Sequence, residues 1–244
     1  MMILRRCGML VSGALLITAA AGQASAQQTP DGAPAGWPEP VMDSQIFTFF
    51  MAERNEYQID DDNQFYVWDA QGWIGGDYNK LWLRTEGEYV LDQGKLEAAD
   101  LEVLYSRTIT PFWDAQIGVR STFEPAQAWD GVVGVQGLAP YFFEVEATAY
   151  VNDEALQFTL EGAYDLLVTQ RLIAEPRVEV NLSTHDIERR DVVSGFSELE
   201  AGVRLRYEII REVAPYVGFE YVRDEAAEDD KDSLRFVTGL RLWF

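Results

Sequence analysis

The chain has 244 residues, of which 48% are hydrophobic and 13% aromatic, enough apolar material for one large all-β domain or two ordinary domains. Its formal net charge is −22, from 19 Lys and Arg against 41 Asp and Glu. Because nucleic-acid binding needs a basic face, this charge argues against a nucleic-acid partner and is compatible with cation binding or simple solubility.

The first 26 residues have the pattern of a cleaved signal peptide. Arg5 and Arg6 form the charged start, residues 9–21 the apolar core, and residues 24–26 the Ala-Ser-Ala cleavage motif. The apolar core is shorter than the ~20 residues that a membrane-spanning helix needs. Since Cys7 lies in this segment, cleavage after Ala26 would leave a mature chain without cysteine, which excludes disulfides and thiolate metal sites.

The rest of the chain divides into two predicted parts. Residues 27–42 are rich in Pro and Gly and are predicted to be a flexible mature N-terminal segment. Residues 43–244 contain no apolar run long enough for a membrane-spanning helix. The mature protein is therefore either soluble in the periplasm or crosses a membrane as a β-barrel.

Apolar and polar residues alternate with a period of two along residues 43–244, and this period predicts strands. In residues 142–151 (FFEVEATAYV), for example, Phe143 and Val145 share one face and Glu144 and Glu146 the other. Residues 94–107 and 153–167 also fit a helical stripe, but their alternation favours strands. The predicted strands are 44–57, 63–75, 79–91, 95–109, 112–123, 129–138, 140–151, 155–168, 171–182, 196–210, 214–222 and 233–244.

The predicted connections differ between the two ends of these strands. Pro111, Pro140 and Pro215 each precede an aromatic residue close to the start of a strand, which indicates short turns at one end. Longer, charged segments lie between those turns, at residues 58–64, 183–195 and 223–233. Short turns at one end, longer loops at the other and an even number of strands are typical of an outer-membrane barrel.

The last strand ends the chain on an aromatic residue. In residues 233–244 (SLRFVTGLRLWF), Phe236, Leu242 and Phe244 share one face, with Arg235 and Arg241 opposite. A terminal strand ending in Phe is the signature read by the outer-membrane barrel-assembly machinery, and its aromatic end suits the interfacial girdle. The fold predicted is an antiparallel, all-β outer-membrane barrel of about 12 strands, with a soluble periplasmic β-sandwich as the alternative.

In a membrane barrel the apolar face meets lipid, so the charged face looks into the lumen. Either these charges pair and fill the barrel, or the excess acid attracts and guides cations. The predicted inward residues are Arg84, Glu86, Glu88, Glu102, Asp114, Arg120, Glu144, Glu146, Glu161, Asp165, Glu175, Arg177, Glu179, Glu200, Arg204, Arg206, Glu208 and Glu220.

Motifs for catalysis are weak in this sequence. His185 is the only histidine, in a predicted external loop beside Asp186, and Ser183 is too close in sequence to be a natural triad partner. No Gly-rich phosphate loop is present. We therefore expect a protein that is not an enzyme.

Several long segments, in the same order, resemble the copper-resistance protein B family. They are FMAERNEY (50–57), DAQGWIGGDYNKLWLRTEGE (69–88), GLAPYFFEVEATAYV (137–151), YDLLVTQRLIAEPRVEVNL (164–182), SELEAGVRLRYEIIREVAPYVGFEY (197–221) and LRLWF (240–244). The resemblance implies an outer-membrane barrel that binds copper ions, exports or sequesters them, and works with a periplasmic multicopper oxidase. A generic or structural barrel without copper specificity is the alternative.

Family members often carry a long N-terminal region rich in Met and His that is thought to bind copper. Here that region is short, with one Met and no His. The copper contacts that the resemblance implies are therefore expected in the barrel itself. The predicted copper contacts are Met42, Asp43, Met51 and Glu53 at the start of the barrel and the lumen carboxylates Glu86, Glu88, Glu144 and Glu146.

Overall fold

The computed structural model describes residues 45–60, 63–227 and 231–244, so the predicted signal peptide and N-terminal segment lie outside the described residues. Within these ranges no helix is long and apolar enough to cross a membrane. The strands are β1 (Phe47–Ile59), β2 (Gln64–Gly75), β3 (Asn79–Val90), β4 (Lys95–Thr110), β5 (Trp113–Glu124), β6 (Ala128–Ala139), β7 (Phe143–Val151), β8 (Leu156–Ala163), β9 (Leu166–Leu167), β10 (Leu172–Ser183), β11 (Gly195–Tyr207), β12 (Val213–Asp224) and β13 (Asp232–Trp243).

The sheet closes on itself. Each strand pairs antiparallel with its neighbours, and β13 pairs with β1 to complete the circle. At this seam the Phe50 backbone N–H donates to the Phe244 carbonyl at 2.9 Å, and the Phe244 N–H donates back at 2.8 Å. The predicted barrel is therefore confirmed as a closed sheet, and Phe244 takes part in the closure.

The barrel has twelve strands, as predicted, because β8 and β9 are two parts of one strand. Both pair with β10, and residues 164–165 interrupt them. Each predicted strand end lies within three residues of the observed one. The start of β7 differs most clearly: Pro140–Phe142 form a 3-10 turn in which Tyr141 and Phe142 have positive φ angles of 69° and 66°.

The two ends of the barrel differ in their connections. The end that carries the chain terminus, called here the inner end, has the turns 76–78, 111–112, 140–142, 168–171 and 208–212. At the outer end, the longer connections are residues 184–194 and the seven residues between the end of β12 and the start of β13. The predicted asymmetry rests on these two loops, because the other outer connections are as short as the inner turns.

Alternation along the strands separates an outer apolar face from an inner polar one. On β11, Val203 and Leu205 are 53% and 41% exposed, whereas Arg204 and Arg206 are 4% and 5% exposed. The exposed apolar side chains form the outer surface, and the buried charged ones face the interior of the barrel, called here the lumen. This arrangement is the one expected of strands in lipid.

One part of the lumen is apolar, which the alternation of charges did not predict. Trp82, Leu104, Val132 and Tyr150 form a buried cluster against which Trp73 packs. These side chains come from β2, β3, β4, β6 and β7 and point inward. The lumen is therefore partly filled by aromatic packing along one wall.

Substitution of outward-facing valines by arginine tests the placement of the strands in lipid. Val133 lies in the middle of β6 and is 54% exposed, whereas Val151 ends β7 and is 49% exposed. We expect Val133→Arg to lower the free energy of unfolding by about 2–4 kcal/mol, and Val151→Arg by about 0–1 kcal/mol, because the cost of charge falls with distance from the bilayer midplane. Urea unfolding in lipid vesicles measures both, and equal costs would contradict the placement.

Candidate functional site: the acidic lumen

A cavity of about 1120 Å³ occupies the lumen. Its lining runs from Phe112 in an inner turn to Arg190 in an outer loop. Eighteen of the lining residues are Asp or Glu, and seven are Lys or Arg. Such a space can hold many water molecules, each of which takes ~30 Å³ in the liquid. The predicted excess of acid in the lumen is present around an open volume.

Part of the lumen wall is filled by a buried network, called here the Arg204 cluster. Arg204 Nε donates to Glu56 Oε1 at 2.5 Å, and its Nη2 donates to Glu220 at 2.8 Å. Gln58 Nε2 donates to Glu56 and Glu220 at 2.8 and 2.9 Å, and the Tyr216 hydroxyl donates to Glu56 at 3.0 Å. Glu56 and Gln58 are 0% exposed. Here the charges act as polar packing, which is the first of the two predicted roles.

Four glutamates lie side by side on neighbouring strands, in what we call the glutamate row. Glu146, Glu161, Glu179 and Glu200 are direct cross-strand neighbours on β7, β8, β10 and β11. Adjacent like charges repel one another. Arg177 offsets this repulsion by donating to Glu161 at 2.8 Å, Glu179 at 2.5 Å and Glu200 at 3.2 Å.

Arg84 links the glutamate row to the opposite wall. From β3 it forms an ion pair with Glu146 on β7 and donates to Gln116 at 3.0 Å and to Gln136 at 2.5 Å. The guanidinium carbon of Arg84 also lies 5.4 Å from the centroid of the Trp82 ring, a cation–π contact. The guanidinium thus neutralises one end of the row.

A second set of carboxylates lies on β2, β3 and β4 and is called here the β2–β4 row. Asp69 is paired across strands with Glu86, and Glu86 with Asp100. Glu102 lies two residues beyond Asp100 on the same face and is 5% exposed. Among the described residues, Asp100 Oδ1 and Glu102 Oε2 have no hydrogen-bond partner. This row therefore carries more uncompensated negative charge than the glutamate row.

Six of the eight copper contacts predicted from the sequence belong to described residues, and all six line the cavity. The other two, Met42 and Asp43, lie outside the described residues. Met51 Sδ accepts a hydrogen bond from Arg241 Nη2 at 3.4 Å. Glu53 accepts one from Gln71 Nε2 at 3.4 Å. A copper ion at Met51 would have to displace the Arg241 guanidinium.

The four lumen carboxylates predicted to contact copper differ in whether they form an ion pair. Glu88 is bound to Arg235 at 2.9 Å and Glu146 to Arg84, so both are neutralised. The carboxylates of Glu86 and Glu144, on β3 and β7, form no hydrogen bond or ion pair within the part of the chain that the structure describes. In that same part, no group of three or more Asp, Glu, His or Cys side chains is close enough to hold a metal ion.

Some lumen residues were missed by the sequence reasoning. A register shift between Ala52 and Arg54 breaks the alternation of β1, so that both Glu53 and Arg54 line the cavity. No sequence signal marks this bulge. Asp69 was missed because the inward face of β2 also carries Phe65, so no run of charge identifies it. Glu208, predicted to face inward, follows the end of β11 and lies in an inner turn.

Comparison with known families and proteins gives consistent matches. A family model described as copper resistance protein B precursor (CopB) matches residues 46–244. Copper resistance protein B of Escherichia coli is 40% identical over 215 residues, which cover 84% of this chain and 72% of that protein. The copper resistance protein B homolog of Pseudomonas syringae pv. tomato is 42% identical over the same length, with the same coverage.

Comparison with solved structures supports the fold. A NanC porin matches with a TM-score of 0.55 at 11% sequence identity, covering 80% of this chain and 99% of the porin. At this identity the likeness concerns the fold alone, a closed barrel of the outer-membrane porin type.

Removing Arg204 tests the packing role of the buried charges. Arg204→Ala removes one of the two guanidinium groups that contact the buried carboxylates of Glu56 and Glu220. The other, from Arg54, lies 3.7 Å from Glu56 and 3.0 Å from Glu220 and stays in place. We therefore expect a loss of about 3 kcal/mol in the free energy of unfolding, the lower end of the range for a broken buried pair. The control is Arg223→Ala, because Arg223 is 43% exposed and pairs with Glu225 at 2.6 Å near an outer loop. Its expected cost is about 0–1 kcal/mol. Similar costs for the two variants in urea unfolding would contradict this role.

Proposed function

The chain belongs to the copper resistance protein B family, and from this premise we propose that it binds copper ions in the lumen of an outer-membrane barrel and exports or sequesters them. The proposal is carried by one observation, the excess of Asp and Glu over Lys and Arg around a cavity of about 1120 Å³. A cleft lined by one sign of charge concentrates ions of the opposite sign. The role proposed is binding and passage, without enzymatic chemistry.

The lumen carboxylates differ in how readily they could accept a cation. Glu86 and Glu144 line the cavity, and their carboxylates form no ion pair within 4 Å among the described residues, so we assign them the first contacts with an incoming ion. Glu88 and Glu146 already hold Arg235 and Arg84, so copper would compete with these guanidinium groups.

The donor types support Cu²⁺ as the ion attracted by the lumen. Oxygen donors suit divalent ions, and at a given site Cu²⁺ binds more tightly than the other divalent first-row metals. Thioether sulfur favours Cu⁺ instead, and in the described residues Met51 is the sole methionine. Because its Sδ accepts from Arg241, we propose that carboxylates make the main contacts and that Met51 and Glu53 contribute only after Arg241 moves.

The proposed route to the outer membrane uses both ends of the chain. We propose that the signal peptide is cleaved after Ala26 and that the barrel-assembly machinery recognises the last strand ending in Phe244. We also propose that Met42 and Asp43, which precede the first strand in the sequence, add copper contacts. A periplasmic multicopper oxidase is the proposed partner at the inner end.

A barrel that passes cations without selecting copper is the competing function. It is favoured by the finding that no three His, Cys, Asp or Glu side chains in the described ranges form a ready-made metal site. The two functions predict different responses to Cu²⁺ and to Ca²⁺ or Mg²⁺.

Copper titration of the purified barrel separates these two functions. We expect Cu²⁺ to bind more tightly than Ca²⁺ or Mg²⁺, and the double variant Glu86→Gln/Glu144→Gln to weaken Cu²⁺ binding by at least about tenfold, which corresponds to about 1.4 kcal/mol. Isothermal titration calorimetry in detergent measures the affinities, and copper tolerance of cells producing each variant provides the cellular readout.

The matched control is Asp153→Asn/Glu188→Gln, which removes the same charge from exposed positions in the outer connections. We expect it to bind Cu²⁺ as the parent does. Equal affinities for Cu²⁺, Ca²⁺ and Mg²⁺ would favour the generic barrel, and unchanged binding in the lumen variant would remove Glu86 and Glu144 from the site.

A further inference from the structure

The longest outer loop, residues 184–194, is folded by its own hydrogen bonds. Glu188–Arg190 form a 3-10 turn, and Ile187 pairs with Val192 as an isolated bridge. The Ser194 backbone N–H donates to Asp186 Oδ1 at 2.6 Å, a bond that holds the pKa of Asp186 below its usual range. Ile187 is 3% exposed, so an apolar side chain also anchors the loop. The loop is therefore a defined structural unit.

This loop sends one arginine into the lumen. Arg190 is 8% exposed and contacts Asp130 through two bonds, from Nη1 to Oδ1 at 3.1 Å and from Nη2 to Oδ2 at 3.3 Å. Its Nη2 also lies 3.4 Å from the Thr122 hydroxyl. Asp130 belongs to β6, which is separated from β10 by β7 and β8. Neighbouring strands lie ~4.8 Å apart, so Asp130 is three strand spacings, or ~14 Å along the barrel wall, from the strand at which the loop begins.

Asp130 does not need Arg190 for its own compensation. Arg120 Nε donates to Asp130 Oδ2 at 3.0 Å, and Asn152 Nδ2 donates to Oδ1 at 2.6 Å. If Arg190 were removed, the Asp130 carboxylate would therefore keep two hydrogen-bond partners. The contact from Arg190 is an additional one, and its specific effect is to hold the loop.

The neighbouring arginine makes only an exposed contact outside the mouth. Arg189 pairs with Glu154 Oε2 at 2.7 Å and its side chain is 49% exposed. Arg190, Asp191 and Val192 line the lumen cavity. An exposed ion pair such as that of Arg189 contributes little to stability, because solvent screens it. The buried contact of Arg190 with Asp130 is therefore the one that holds the loop within the mouth.

We propose that residues 184–194 form a lid over the outer mouth of the lumen, held shut by the ion pair between Arg190 and Asp130. Opening breaks this pair, leaves Asp130 bound to Arg120 and Asn152, and withdraws Arg190 from the ion path. The lid controls access to the lumen whichever cation passes, so it can be tested separately from copper binding.

The test compares two adjacent arginines in the full-length exported protein. Arg190→Ala should raise single-channel conductance in KCl across a planar bilayer severalfold, whereas Arg189→Ala should leave it close to the parent value. Thr122→Cys adds a second readout, because Thr122 is 2% exposed beside Arg190 and the described chain contains no cysteine. A membrane-impermeant thiol reagent should modify this cysteine severalfold faster in the Arg190→Ala background than in the Arg189→Ala background.

Equal conductance and equal labelling rates in the two backgrounds would overturn the lid. If Arg190→Ala does not assemble, as judged by heat-modifiable migration in gels, Arg190→Lys replaces it, with Arg189→Lys as the control. Lysine keeps the charge but cannot form the two-pronged contact with a carboxylate. We expect a smaller rise in conductance for Arg190→Lys than for alanine and none for Arg189→Lys, and no difference between the two lysine variants would also reject the lid.

Discussion

Within hydrocarbon, a backbone N–H or C=O without a partner costs several kcal/mol, so a sheet can cross a membrane only if its edges are joined. In this chain the joint is the pairing of β1 with β13, completed by the two hydrogen bonds between Phe50 and Phe244. Closure fixes which face of every strand meets lipid. The apolar face must then point outward, and the charged face has no place except the lumen.

Charge turned inward produces two different environments in the same barrel. In the Arg204 cluster, a guanidinium group, two carboxylates and a tyrosine hydroxyl are hydrogen-bonded to one another and buried from solvent. Along the β2–β4 row, acids outnumber nearby bases and border the open cavity. The first environment gives the barrel a specific packing, and the second provides the negative field on which the proposed copper function depends.

Much of this architecture could be predicted from the sequence because the period of two is a local signal. This period predicts the strands β7, β10 and β11. It also predicts that Glu146, Arg177 and Arg204 point inward. The β1 bulge could not be predicted, since no residue type marks the register shift beside Arg54. Nor could the contact of Arg190 with Asp130, because 60 residues separate them in the chain.

The ion pairs that modify the predicted copper contacts were also beyond the sequence. Alternation places Glu88 and Glu146 in the lumen, but their neutralisation by Arg235 and Arg84 depends on which strands face one another across the closed barrel. Met51 shows the same limit, because its contact with Arg241 is made across the closing seam. A linear pattern predicts which way a side chain points, whereas its partner depends on barrel closure.

The inward carboxylates outnumber the inward cations around the cavity, so we expect them to give the lumen a negative field. The reversal potential of the purified barrel in a planar bilayer with a KCl gradient measures the resulting ion selectivity. We expect a reversal potential of the sign and size of a cation-selective pore, declining as salt screens the lumen charges. A reversal potential at zero, or one of the opposite sign, would contradict it.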